Sequence, residues 1–513
     1  MSFYTNIDSS TSFFPYLQQL IEENNITEDA IAKHADEYAD SQITDVLYNI
    51  SGQVSMTESK ILTDYAEKYE QTEEFGIHVN YKDFYGVLYT VQKKMGINIY
   101  DVCIRRTRQR GQKAWLSFRM NDAHDPFGEV GVFRPSFYYK ARDNGWLIGD
   151  GYGDHNYFKI CYNYAYKEVR DFWLSYIAEQ LERFDVDGIE LDFMREIFCF
   201  KYESFDGADI MNGFMREAKA LVGRFEAKYG HKIKIGVSLA RDIDQCRTFG
   251  FDARTWDKEG LCDVIFVRPR WFTCDSHMPV AVWKKECPHT EIAAGLEINT
   301  TVMPETSLFR FESTTAPVAR GYAVHYYAEG ADSLYLYNFF VTPVKEGTKV
   351  DAVIGSLPVA NYAGKHDINR GCGNLTSAAE KSFRYVLTYQ ESETVPKGET
   401  AFNPLPMVLT DEKQTVNMNI GFLPEGRRAV LVLGLKDGTA EDVRVEINGK
   451  VLGGFEECDR STVETDCREK FVHDDVKLYR ATLDAKDAPD YAVSLAKTGK
   501  NDAVLVFMSI DVL

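Results

Sequence analysis

Short runs of β-branched and aromatic residues that end in polar positions recur along the first two thirds of the chain. They lie at Phe3–Asp8, Thr44–Ile50, Lys113–Met120, Gly188–Phe193, Lys234–Ala240, Asp263–Arg268, Glu291–Glu297 and Ser333–Phe339, and each predicts a strand. Helical spacing fills the intervals. The clearest case is Lys167–Phe184, where Val169, Phe172, Trp173, Tyr176, Ile177 and Leu181 recur at three- and four-residue steps. Asp209–Tyr229 is a second helix, with Gly230 at a C′ position.

Parallel neighbours need crossover connections, so eight strands alternating with helices predict an α/β fold, a (β/α)8 TIM barrel. The span is about 340 residues against roughly 250 for a minimal barrel, which puts inserted material into the loops. Two intervals hold most of it: Ser51–Gln112, which reads as helical, and Asn121–Phe158, which is rich in aromatic residues. The second, following strand three, is expected to overhang the C-terminal mouth.

Beyond residue 380 the pattern becomes period two, at Phe383–Tyr389, Thr415–Ile420, Ala429–Leu435, Val443–Ile447, Lys477–Leu483 and Ala503–Ile510, with Asn448-Gly449 as a hairpin turn. This predicts a C-terminal all-β sandwich. The expected division is a catalytic barrel over 1–345, a connecting segment over 346–380, and a carbohydrate-binding or bracing sandwich over 381–513.

Charge narrows the partners. With 58 Lys and Arg against 78 Asp and Glu, the net charge of −20 argues against nucleic acid. No run of apolar residues is long enough to predict a membrane span. MSFYTNIDSS has no basic segment followed by an apolar one, so the expected location is cytoplasmic, or secreted or periplasmic if a leader has been removed. Ten cysteines form no CxxC pair, and strand one offers no His-x-His, so neither a metal nor a cofactor is expected. The Gly149–Gly153 stretch follows no strand and is no phosphate cradle, and there is no GxSxG elbow.

Barrel chemistry sits at the C-terminal ends of the strands, and those ends are rich in carboxylates. Strand four supplies Glu190 and Asp192 on one face, with Asp192 nearer the mouth, followed by Arg195. Strand seven ends in Glu297. Glycosidic cleavage needs one carboxyl group to protonate the leaving oxygen and another to attack carbon or activate water. Asp192 and Glu297, from strands nearly opposite around the ring, are the expected catalytic pair. Glu190, one pleat deeper, is expected to couple to Asp192 or to pair with Arg119 or Arg195.

Substrate contacts are expected from Glu190, Arg195, Arg119, Asn121, Asp122, His124, Asp242, Arg268, Arg270, Trp271, Tyr337 and Asn338. The arginine forks suit a carboxylate or sulfate on an oligosaccharide or polysaccharide, or else balance acids inside the barrel. Trp271 and Tyr326-Tyr327 are candidate floors for sugar rings.

The run Phe184–Arg195 (FDVDGIELDFMR) closely resembles the strand-four signature of bacterial glycoside-hydrolase-like TIM barrels, a family-10-like group. Lys167–Arg170, Ser117–His124 and Tyr337-Asn338 are similar to the same group, and the likeness covers about residues 1–345. It implies a carbohydrate-active barrel with Asp192 as its strand-four carboxylate and the sandwich as a common companion. A looser likeness runs to the chitinase signature Asp-Gly-x-Asp-x-Asp-x-Glu. Asp187, Gly188 and Asp192 match it, but Met194 stands at the place of the catalytic Glu, which argues against the chitinase route. The expected activity is glycoside hydrolysis; a non-catalytic glycan-binding barrel and a transglycosylase are the alternatives.

Overall fold

A computed structural model describes residues 1–75, 85–124, 134–150, 157–201, 207–270, 273–303, 314–339, 362–391, 400–462 and 475–513. Eight parallel strands close a barrel in sequence order: β1 (Phe3–Ile7), β2 (Asp45–Ser51), β3 (Lys113–Arg119), β4 (Gly188–Asp192), β5 (Lys234–Leu239), β6 (Val264–Val267), β7 (Glu291–Glu297) and β8 (Ser333–Tyr337). The hydrophobic runs place all eight to within about two residues at either end.

Alternation along each strand divides the barrel side chains into an outer set beneath the helices and an inner set that fills the ring. A ring-filling cluster of Tyr4, Leu47, Trp115, Phe266, Ala293 and Tyr335 is fully buried. Above it the inner set turns polar. Register then fixes the top layer: Arg119 lies beside Asp192, Asp192 beside Ser238, and Glu297 beside Tyr337.

The interval after β2 carries the helix Tyr65–Phe75, a π-helical turn at Tyr89–Lys94 and the helix Ile99–Gln109, in line with its helical pattern. The aromatic interval after β3 divides in its described part. Phe137 stacks on Phe172 with ring centroids 3.8 Å apart and Trp146 lies against Phe137, covering the helix Lys167–Arg183. Tyr157 and Phe158, by contrast, lie against Arg270 at the mouth, as expected. Phe127, Phe133 and Tyr152 lie outside the described residues.

The C-terminal region forms two antiparallel sheets. One contains β9 (Phe383–Val386), β10 (Met407–Val408), β12 (Ala429–Lys436), β15 (Glu456–Cys458), β16 (Lys477–Thr482) and β18 (Val504–Val512). The other runs in the order β11 (Gln414–Asn419), β17 (Asp490–Lys497), β13 (Val443–Ile447), β14 (Lys450–Leu452). Asn448 and Gly449, at φ 50° and 81°, make the β13–β14 turn, as two positive φ values require. Strand β17 is an addition to the strands expected from the sequence.

The helix Ala316–Ala328 binds these sheets to the barrel. Its Arg320 donates to the Ser382 carbonyl, and the Tyr322 hydroxyl donates to the Val386 carbonyl at 2.9 Å. Tyr326 and Tyr327 are buried on the same helix and donate to the carbonyls of Asp275 and Cys372. They are packing residues, which corrects their reading as sugar-stacking floors. Among the described residues no helix is long and apolar enough to cross a membrane, and no cluster of His, Cys, Asp and Glu could hold a metal ion.

Candidate active site

Two polar layers occupy the upper barrel. In the lower one, Glu190 is fully buried and accepts from Asn6 Nδ2 at 2.8 Å and from the hydroxyls of Ser238 and Tyr335 at 2.6 Å each. Burial first, and the nearby Asp192 charge second, push its carboxyl up from the ordinary value. The described residues show no pairing with Arg119 or Arg195, because three neutral donors from β1, β5 and β8 already take up its oxygens.

One pleat higher, Asp192 Oδ1 accepts from the backbone N–H of Met194 and Arg195, at 2.9 and 3.0 Å, and from Arg268 Nη2 at 2.9 Å. Its Oδ2 is buried without a hydrogen-bond partner among the described residues. Arg268 can enter the ring because β7 carries Gly295 opposite it: a Cβ there would fall 2.3 Å from Arg268 Cβ. The guanidinium then lies 3.4 Å above the Tyr337 ring, a cation–π stack inside the barrel. The hydroxyl of Tyr337, Nε of Arg268 and Oδ1 of Asn338 are buried and unpartnered among the described residues. Buried polar atoms rarely go unpaired, so their concentration around Asp192 is unusual.

Glu297 closes the layer at the end of β7, where it is 5% exposed. Burial pushes its carboxyl up to about 8, against the pull of Arg268, the Ile298 N–H and Arg195 and with the help of the Asp192 charge. The Asp192 charge thus reaches Glu297 through space although their strands lie three apart around the ring.

Four arginines surround the pair, and each holds a carboxylate. Arg119 pairs with Asp8 and Asp122, Arg195 with Asp122, Arg268 with Asp192, and Arg270 with Glu196 at 2.7 Å. Of the strand-end acids Glu190, Asp192, Asp242 and Asp263, only Asp192 pairs with one of these arginines among the described residues. His124 completes the rim. Its Nε2 faces Arg195 Nη2 at 2.7 Å, and a guanidinium can only donate, so the ring proton sits on Nδ1 toward Asp122.

Other expected contacts serve the scaffold. Asn121 donates to the carbonyls of Tyr162 and Phe198 and accepts from the Tyr162 N–H, tying the β3 loop to the β4 loop. Asp242 caps the helix Ile243–Thr248 by accepting from the Gln245 N–H at 2.7 Å. Trp271 lies outside the described residues. Asp187 is at the opposite end of β4, bonded to Arg108.

Three residues of the site were not singled out from the sequence. Asp8 ends the β1 run but resembles no motif. Glu196 sits in a bend past β4, where strand parity no longer predicts direction, and it accepts from Arg270, the Ala123 N–H and the Tyr157 hydroxyl. Tyr157 comes from the short turn Tyr157–Ile160, which no periodicity marks.

No family model matches the chain, and no curated protein matches it. Solved structures with a similar fold include a Paenibacillus cycloisomaltooligosaccharide glucanotransferase at 10% identity and TM-score 0.33, covering 99% of this chain and 57% of that one. The chitinase ChiW of a Paenibacillus species is 8% identical with TM-score 0.40, over 99% of this chain and 56% of its own. The Thermotoga maritima α-fucosidase is 9% identical with TM-score 0.34, over 96% and 94%. Scores this low do not bear on activity. The chain spans little more than half the length of the first two.

Proposed function

We propose that the chain is a glycoside hydrolase acting on a neutral glycan, with Glu297 as general acid and Asp192 as the second carboxylate. The observation that carries this reading is the contrast between the two acids at one mouth. Glu297 is held protonated to about pH 8 by burial, as a proton donor to a leaving oxygen must be. Asp192 is fixed by three donors on one oxygen while the other has no partner among the described residues. That second oxygen attacks the anomeric carbon or takes a proton from water.

Charge balance supports both the protonation state and the substrate class. Asp8, Asp122, Asp192 and Glu196 already answer the four arginines, so an ionised Glu297 would be a fifth negative charge without a cation of its own. For the same reason none of these arginines stands ready for an acidic sugar. Met194, buried where a chitinase has its Glu, leaves no acid for cleavage assisted by an N-acetyl group.

Product release from a panel of neutral and acidic oligosaccharides tests this. Wild-type protein is expected to cleave a neutral member, with turnover lost in Asp192→Asn and Glu297→Gln. Cleavage that survives in both variants would sink the assignment. Sugar that binds without cleavage would make the barrel a binding protein, and products longer than the substrate would make it a transglycosylase. The anomer first released, followed by NMR, reports whether Asp192 attacks carbon or water.

A further inference from the structure

A second cleft, of about 420 Å³, opens at the seam between barrel and sandwich, away from the β-strand ends that carry Asp192 and Glu297. It is bounded by the loop after β6, the helix Ala316–Ala328 and the sheet containing β11, β17 and β13. Its volume falls within the range of roughly 300–1,000 Å³ usual for small-molecule sites.

Two buried side chains in its wall each keep one polar atom without a partner among the described residues, although the His325 ring also bonds to the Asn419 side chain. His325 is 5% exposed and its Nδ1 has no partner among the described residues; Tyr491 is 1% exposed and its hydroxyl has none. They come from different parts of the fold, a barrel helix and a sandwich strand. An imidazole Nδ1 of this kind accepts from a ligand hydroxyl, and a phenol hydroxyl donates to one. No lysine or arginine is among the described lining residues, whereas Glu329 and Asp490 are, which disfavours an anion. Burial pushes His325 down to about 4 and lowers His277, whose ring meets the Asn417 carbonyl through Nε2 and the Ser276 hydroxyl through Nδ1.

We propose that this seam cleft is a second saccharide-binding site that takes a neutral, hydroxyl-rich sugar ring through His325, Tyr491 and the Asn417 edge. The choice of sugar among neutral polyols rests on the glycan reading of the barrel. The loop that delivers Arg270 to Glu196 continues into Ser276 and His277, so one segment serves both places.

Hydrogen–deuterium exchange on the full chain tests this, with cellopentaose, maltopentaose and xylopentaose as probes in the Asp192→Asn background. At least one probe is expected to slow exchange at residues 276–279 and 490–492. Asn417→Trp, on an exposed strand position, fills the cleft and should abolish that protection while leaving protection at the barrel mouth. Tyr491→Phe removes one hydroxyl and should raise the concentration for half protection about fivefold. Seam protection that persists in Asn417→Trp, with a wild-type melting profile, overturns the proposal; so does its absence with all three probes. Product release by the wild-type chain judges the barrel separately: seam protection without any cleavage would leave the cleft standing and reject the hydrolase.

Discussion

Arg268 Nη2 donates to Asp192 Oδ1 across 2.9 Å, with both side chains 1% exposed. A buried pair of this kind contributes little net stability against an apolar replacement, but removing one partner leaves the other charged and unmatched. Arg268→Met should therefore lower unfolding free energy by about 3–5 kcal/mol in urea titrations. Asp192→Asn keeps an oxygen for the backbone donors and should cost less. Both variants should lose glycan cleavage, Asp192→Asn by about 10²–10⁴-fold if it acts as the second carboxylate. A stable Arg268→Met protein would show that the pair does not control the layer.

Gly295 makes that pair possible. A methyl group at this position would meet Arg268 Cβ at 2.3 Å and the Arg268 Cα and Val267 carbonyl oxygen at 3.1 Å, and this backbone at the end of β6 prevents relief. Gly295→Ala should destabilise by about 1–3 kcal/mol or more and reduce kcat, because Arg268 must shift and Asp192 with it. Gly213 is the control. It lies inside the helix Gly207–Tyr229 with nothing within 4 Å of an added Cβ, so Gly213→Ala should stabilise by about 0.5–1 kcal/mol. Thermal melts of the two variants should move in opposite directions.

The barrel was legible because its strands are continuous apolar runs between helices, and parity alone put Glu190 and Asp192 on one inward face. Strand ends then exposed Glu297 and Arg268 to the same reasoning. The pairing among the charges was not legible. Arg270 takes Glu196 and Arg119 takes Asp8, partners separated by 74 and 111 residues that are brought together only by closure of the ring. For Asn121 and Asp242, position after a strand fits a ligand contact and a loop clamp or helix cap equally well, and three-dimensional partners decide between them. Strand β17 alternates outward positions, exposed at Asp490 and half-buried after it, with buried ones as far as Leu495, so the sequence carries its period-two signal too.

Glu297 gives a pH dependence whose sign can be worked out. Its carboxyl titrates near 8 in the fold against 4.5 ordinarily, so between these values the folded chain holds a proton that the unfolded chain has released. Stability from this group is thus complete below about 4.5 and is lost as pH rises through about 8. Cleavage that depends on the protonated acid should fall over the upper part of the same window. Glu297→Gln removes the titration, so it should be more stable than wild type at pH 8 while losing activity by about 10²–10⁴-fold. A wild-type rate that rises through pH 8 would exclude Glu297 as the acid.

His325 acts in the opposite direction at the seam. Burial holds its imidazole neutral down to about 4, compared with 6.5 ordinarily, and the nearby His277 adds to the depression. Between those values the unfolded chain binds the proton and the folded chain does not, so stability is full above about 6.5 and is lost as pH falls toward 4. At 1.36 kcal/mol per unit the loss is on the order of 3 kcal/mol. His34, buried under the helix Ser9–Glu22 and pushed down to about 3, contributes acid sensitivity of the same sign. His325→Gln should flatten the decline in urea midpoint between pH 6.5 and 4. A variant that declines as steeply as wild type would place the acid sensitivity elsewhere, with His34→Gln the next substitution to measure.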